Sequence, residues 1–117
     1  MTSSFYLTIR SLPEAMIVRP ATDEDIQWAN KELKSNRFPS IPDDYVAFLQ
    51  HCNGFAFNGV ELYGTDIVTD TATDFQLIDI VSFTEDLSGE DNKNTLYFGR
   101  VDDDIFSFNL NSGKFET

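Results

Sequence analysis

The residues best suited to nucleophilic chemistry stand side by side: His51 and Cys52 are the only histidine and the only cysteine of the chain. A thiol activated by an imidazole is a common catalytic pair. Here both residues fall on a predicted helix, where neighbouring side chains point about 100° apart and do not face each other. We therefore expect Cys52 to be a small buried residue and His51 to be an exposed residue near a helix C-terminus. No catalytic residue is predicted.

Carboxylates are the other groups that could do chemistry. Two sets are dense: Asp66, Asp70 and Asp74, which recur every four residues, and the adjacent Asp102, Asp103 and Asp104. One His and one Cys cannot complete a zinc site without several carboxylates, and no calcium-binding EF-hand pattern is present. Glycine-rich phosphate loops and the Gly-x-Ser-x-Gly motif are also missing. We expect no metal and no cofactor, although a glycosidase-type carboxylate pair stays open because nothing singles out two acids.

Charge limits the possible partners. Twenty acidic and eight basic residues give the 117-residue chain a formal net charge of −12. Such a surface repels nucleic acids and anionic membranes and attracts cationic proteins, although solubility alone would also explain it. Without a convincing signal peptide or a long apolar stretch, the cytoplasm is the expected location. The expected partner is a protein, with no nucleic acid and no membrane.

Two helices are predicted in the first half of the chain. Thr22 is a suitable N-cap, and Asp25 three residues later is close to a capping box. This helix has a buried stripe with Trp28 at one edge, and we expect Pro39 to stop it. Pro42 suits the first position of the second helix, and Asn53-Gly54 is expected to close it. The inner face of the second helix is predicted to hold Tyr45, Phe48, Leu49 and Cys52.

The second half of the chain indicates mainly strands. A turn at Asn58-Gly59 interrupts a strand, and a Thr/Asp-rich loop is predicted at 65–73. Residues 74–87 fit a strand imperfectly and favour a helix, and 88–94 are predicted to be a loop. A β-meander follows, with Leu96, Phe98, Phe106, Phe108 and Leu110 inside and Phe115 in its last strand. Residues 4–10 fit either a helix or a strand. The order predicts an α+β domain with N-terminal helices on a mostly antiparallel sheet.

A set of motif residues carries a family resemblance. It comprises Ile41, Pro42, Tyr45, Phe48, Leu49, Asn53, Gly54, Leu62, Tyr63 and Gly64, followed by Phe98, Gly99, Asp104 and the 111–113 turn. In this order and spacing the chain resembles the SUKH superfamily, and most nearly its YrhA branch. The resemblance covers residues 22–116 of a single domain predicted to span 1–117.

The resemblance implies an α+β fold and a non-enzymatic role. Many bacterial members are immunity proteins that neutralise a cognate toxin, often a nuclease, of a polymorphic toxin system. Fungal relatives coordinate cell-wall assembly through protein contacts. The alternatives are therefore an immunity protein, a regulatory scaffold or adaptor, and an enzyme or metal binder that uses carboxylates.

A basic toxin would bind where acids and aromatic rings are exposed, because a nuclease carries cations for phosphate. The predicted partner-binding residues are Tyr63, Asp66, Asp70, Asp74, Asp102, Asp103 and Asp104. Exposed aromatic residues such as Trp28 are expected to serve as additional anchors.

Overall fold

The structure is a computed structural model that describes residues 16–70, 75–88, 94–109 and 112–116. The segment 4–10, Asp74, Leu110 and most of the predicted loop 88–94 lie outside these ranges. The helices are α1 (Asp23–Ser35), α2 (Asp43–Leu49) and α3 (Ile80–Leu87). The strands are β1 (Met16–Ile17), β2 (Phe55–Phe57), β3 (Val60–Leu62), β4 (Val68–Asp70), β5 (Phe75–Leu77), β6 (Thr95–Val101), β7 (Asp104–Asn109) and β8 (Lys114–Glu116).

Six strands form the main sheet in the order β1-β2-β3-β6-β7-β8, and every neighbouring pair is antiparallel. Strands β4 and β5 form a separate antiparallel hairpin. Side chains from all three helices and from the sheet share one hydrophobic core. This arrangement confirms the predicted α+β class, and α3 falls within the segment 74–87 for which a helix was favoured.

Helix α1 begins as predicted. The Thr22 hydroxyl accepts a hydrogen bond from the Asp25 amide at 3.1 Å, and the Asp25 carboxylate accepts one from the Thr22 amide at 2.9 Å. These reciprocal bonds form a capping box, which satisfies amides that the first helical turn leaves without partners. The helix ends at Ser35, earlier than the prediction that relied on Pro39, because Arg37 at φ +67° turns the chain.

Helix α2 buries Tyr45, Phe48 and Leu49, which confirms these three residues of its predicted inner face. Cys52, the fourth, is buried but lies beyond the end of the helix. Its two ends differ from the prediction. Pro42 is the N-cap and not the first helical residue, because its ψ of 150° is extended. The helix ends at Leu49, so Asn53 and Gly54 lie beyond it and do not close it.

The segment 65–87 corrects two predictions. The expected loop at 65–73 contains strand β4, and the expected helix at 74–87 is divided into strand β5 and helix α3. The division occurs at Asp79, whose carboxylate accepts a hydrogen bond from the Ser82 amide at 3.0 Å and caps α3. Because the cap sets the helix start, the preceding residues are free to pair with β4.

The C-terminal meander is confirmed. Leu96 and Phe98 are buried, Phe106 and Phe108 are partly buried, and Phe115 in β8 remains 44% exposed. The register between β3 and β6 ends at the pair Leu62 and Gly99, and one further hydrogen bond runs from the Tyr63 amide to the Phe98 carbonyl at 2.8 Å.

Beyond that pair, a side chain of α3 contacts the backbone of β6. The Thr84 hydroxyl donates to the Tyr97 carbonyl at 2.9 Å and accepts from the Tyr97 amide at 3.0 Å. The helix thereby occupies both backbone groups of Tyr97.

Candidate protein-binding surface

The loop that follows β3 is held by Asn53. The Asn53 side-chain carbonyl accepts from the Thr65 amide at 2.8 Å, and its amide group donates to the Thr65 hydroxyl at 2.8 Å. Gly64 passes so close to Asn53 that an added Cβ would collide with the Asn53 backbone. The Gly64 carbonyl also accepts from the Ile80 amide at 2.7 Å, which ties the loop to the start of α3. These motif residues therefore fix the position of residues 63–67.

Tyr63 supports this loop from inside. Its side chain is 2% exposed, its ring centroid lies 4.3 Å from that of Phe83, and its hydroxyl donates to Glu61 at 3.3 Å. The Tyr45 hydroxyl donates to the Tyr63 carbonyl at 2.5 Å. Burial, followed by the nearby Glu61 charge, raises the pKa of Tyr63 to about 12. In this structure Tyr63 positions its neighbours and does not present its ring at the surface.

A groove of about 670 Å³ lies between α1, the loop after β3 and α3. We call it the Trp28 groove. Its lining residues are Trp28, Glu32, Thr65, Asp66, Ile67, Asp79, Val81, Ser82 and Glu85. Trp28 is 48% exposed and Ile67 is 55% exposed, so the groove combines accessible apolar surface with four carboxylates.

The four carboxylates of the groove differ in how far their existing contacts leave them able to bind a cationic partner. Asp79 is 5% exposed and caps α3. Asp66 pairs with Arg19 at 3.2 Å, and the same guanidinium pairs with Asp25 at 3.1 Å. Glu85 accepts a hydrogen bond from the neutral Asn36 side chain at 3.2 Å. Among the residues that the structure describes, no salt bridge involves Glu32 or Glu85.

The second acidic region is the turn between β6 and β7. We call Asp102, Asp103 and Asp104 the hairpin tip; all three residues are exposed, and Asp102 has a φ of +51°. The Asp102 amide donates to the Gly59 carbonyl at 3.2 Å, which joins the tip to the Asn58-Gly59 turn.

Asp70 lies near the hairpin tip. It lines a cleft of about 420 Å³ together with Asn58, Gly59 and Phe75. The predicted binding residues are therefore divided: Asp66 belongs to the Trp28 groove, Asp70 lies beside the hairpin tip, Tyr63 is buried, and Asp74 is outside the described residues.

Sequence reasoning named Trp28 and Asp66 but not the other members of their groove. Glu32 could have been found, because it follows Trp28 by four residues and so shares its side of α1. Ile67 and Glu85 lie in a loop and a helix, as predicted for their segments, but the sequence did not show that long-range contacts bring these two elements beside Trp28.

The candidate nucleophile, Cys52, lies in surroundings typical of a buried structural residue. Cys52 is buried, and its thiol donates to the Gly54 carbonyl at 3.2 Å, while His51 is exposed. Within the described ranges, no three His, Cys, Asp or Glu residues are grouped in a way that could hold a metal ion. In the same part of the chain, no helix has the length and apolar character required to cross a membrane.

Comparison with known proteins identifies the family. A family model described as "SMI1 / KNR4 family (SUKH-1)" matches residues 20–117. No curated protein and no solved structure matches the chain. The family match supports an immunity or regulatory role; it does not resolve the YrhA branch, which stays a prediction. Residues 20–117 are most of the chain, and the protein therefore belongs to the SMI1 / KNR4 family, SUKH-1.

Proposed function

We propose that this protein is an immunity protein that binds a basic toxin domain, such as a nuclease, in the cytoplasm and blocks it without catalysis. The observation that carries the proposal is the net charge of −12 in a member of this family. Exposed carboxylates at the Trp28 groove and the hairpin tip put part of that charge on accessible surfaces.

The proposed mechanism is occlusion. A nuclease holds its substrate with lysine and arginine side chains, and these attract an acidic protein over long distances. Once the acidic protein is seated on those cations, the phosphate backbone of the substrate cannot reach them. The burial of Cys52 supports a binding role over a nucleophilic one.

The alternative is a regulatory adaptor, which would bind a protein without abolishing an activity. The family match supports this role as well. The exposed Phe115 favours it, because an aromatic residue outside both acidic regions could contact an uncharged partner.

The test is capture of partners by the tagged protein from its native lysate at low and at high salt, with mass spectrometry of the retained proteins. The proposal expects one basic protein retained at both salt concentrations, whose toxic activity falls in proportion to added immunity protein. Retention of non-toxic proteins only would contradict the immunity role and favour the adaptor. A separate test addresses catalysis by carboxylates. If the protein shows an enzymatic activity that is lost when Asp102, Asp103 or Asp104 is mutated singly, the protein is a carboxylate enzyme and the proposal is wrong.

A further inference from the structure

We propose that the Trp28 groove is the main contact for an arginine-bearing segment of the basic partner, whose guanidinium stacks on Trp28 between Glu32 and Glu85. This inference rests on the proposed function, because it assigns a surface and a recognised group to the same binding event. It differs from the sequence prediction, which gave most weight to Asp66, Asp70, Asp74 and the hairpin tip.

The apolar part of the groove is the first argument. Trp28 lies outside the buried stripe of α1 and leaves 48% of its surface accessible, and Ile67 leaves 55% of its own. Exposed tryptophan is costly in water and is enriched among residues that dominate binding energy. Two such residues on the wall of one groove offer a contact from which water can be excluded.

The charges of the groove are the second argument. Glu32 is one helical turn from Trp28, and Glu85 faces the groove from α3. Among the described residues, no cationic side chain lines the groove and neither glutamate forms a salt bridge. Asp66 differs, because its carboxylate pairs with Arg19, whose guanidinium it shares with Asp25. Two uncompensated negative charges beside an aromatic ring are complementary to a cation and repel an anion.

The shape of that cation is the third argument. Arginine has a planar guanidinium that stacks on aromatic faces and donates hydrogen bonds in two directions at once. Lysine carries the same charge as a compact, strongly hydrated group and stacks less well. A ring flanked by carboxylates on two different helices therefore favours arginine over lysine.

The groove is also held in place before binding. Asn53 fixes the loop that carries Ile67, Asn36 on the α1 side contacts Glu85, and Asp79 caps α3. Preorganisation lowers the entropy lost when a partner binds. A groove of this kind can retain a partner that charge has brought close.

The experiment uses the full chain and a hexa-arginine peptide as the probe, at physiological salt and at low salt. Trp28 is the only tryptophan, so its fluorescence reports on the groove alone. Anisotropy of a labelled copy of the peptide reports binding anywhere on the protein. Hexa-lysine is the control probe of equal charge.

Two double variants are matched in charge. Glu32→Gln with Glu85→Gln removes two charges from the groove, and glutamine retains an acceptor for Asn36. Asp103→Asn with Asp104→Asn removes two charges from the hairpin tip. We expect the groove variant to weaken hexa-arginine binding about tenfold and the tip variant less than about threefold. Hexa-lysine is expected to bind the unaltered protein about threefold more weakly than hexa-arginine.

Three outcomes are distinguishable. A change in Trp28 emission that follows the anisotropy, together with the expected order of the variants, supports the groove. Binding seen by anisotropy with unchanged Trp28 emission, or equal losses in both variants, overturns the groove but leaves an acidic protein that attracts cations. No binding even at low salt overturns the groove and removes the electrostatic basis of the proposed function.

Discussion

The Trp28 groove and the hairpin tip are both acidic, but they are built differently. Three separate elements form the groove, and its loop is fixed by buried hydrogen bonds between Asn53 and Thr65. The hairpin tip consists of the two-residue turn at Asp102 and Asp103 and the first residue of β7, and all three residues are exposed. The groove places the exposed side chains of Trp28 and Ile67 among its charges, whereas the three residues of the tip are all aspartates.

This difference separates two contributions to binding. Exposed charges mainly accelerate the encounter of two proteins, and salt screens their effect. Desolvated aromatic contacts mainly slow dissociation. We therefore expect the hairpin tip to control the association rate and the groove to control the lifetime of the complex.

The largest effect is expected when the support of the groove is removed. Asn53→Ala leaves the Thr65 amide and hydroxyl without their buried partner, which should cost about 3 kcal/mol of unfolding free energy. Urea denaturation measures this loss. The control is Gln50→Ala, at an exposed position, where we expect a change below about 0.5 kcal/mol. Equal losses in both variants would contradict the assigned role of Asn53.

Trp28→Ala is expected to weaken the complex with the captured partner by about 2 kcal/mol, mainly through faster dissociation. Surface plasmon resonance separates the two rates. Phe115→Ala is the matched control, because that ring is 44% exposed but lies outside the groove. If both variants dissociate equally fast, the groove is not the principal contact.

Neutralising Asp102, Asp103 and Asp104 together to asparagine should slow association about tenfold at low salt and leave dissociation nearly unchanged. The salt dependence of the association rate should become flatter, which stopped-flow measurements can follow. Association that stays unchanged would remove the hairpin tip from the binding surface.

Acid is expected to weaken α1, the helix that carries Trp28. The hydrogen bond from the Thr22 backbone, with help from Arg19, holds the pKa of Asp25 below its usual value of 3.8. A lowered carboxylate pKa stabilises the fold above the unfolded-state pKa, and this contribution is lost as the pH falls through the folded-state pKa. Asp25→Asn should lower the free energy of unfolding by about 1 kcal/mol at pH 7, and this loss should become smaller in acid. Urea denaturation across this pH range measures both changes.

The smallest effect is expected at the residues that first suggested catalysis. His51→Ala should leave partner affinity unchanged, because His51 lies in neither acidic region. Titration calorimetry with the captured partner tests this, and a loss of affinity would extend the contact surface to the end of α2.

The sequence predicted the parts of the fold that local chemistry determines. The capping box at Thr22, the inner face of α2 and the Asn58-Gly59 turn depend on residues close together in the chain. The split at Asp79 was missed because the same carboxylate suits a helix start and a solvent-facing strand position, and only pairing with β4 distinguishes them.

The candidate site was harder to predict, for a related reason. Trp28 and Glu32 share one helix, but Ile67 and Glu85 reach the groove through a loop and a helix that long-range contacts position. Tyr63 shows the converse difficulty, because a residue beside acidic loops in sequence is buried by Phe83 in the fold.

The contact between Thr84 and Tyr97 has a consequence for behaviour at high concentration. A strand that extends past its neighbour exposes amides and carbonyls on which another chain can form a new sheet. Beyond the last pair of β3 and β6, the Thr84 hydroxyl forms hydrogen bonds with both the amide and the carbonyl of Tyr97. It thus satisfies the groups that a further strand would otherwise pair with. The helix thus shields this position from intermolecular strand pairing and so protects the protein against aggregation. Repulsion between acidic surfaces also opposes aggregation, but salt screens that repulsion and does not affect the shielding by the helix.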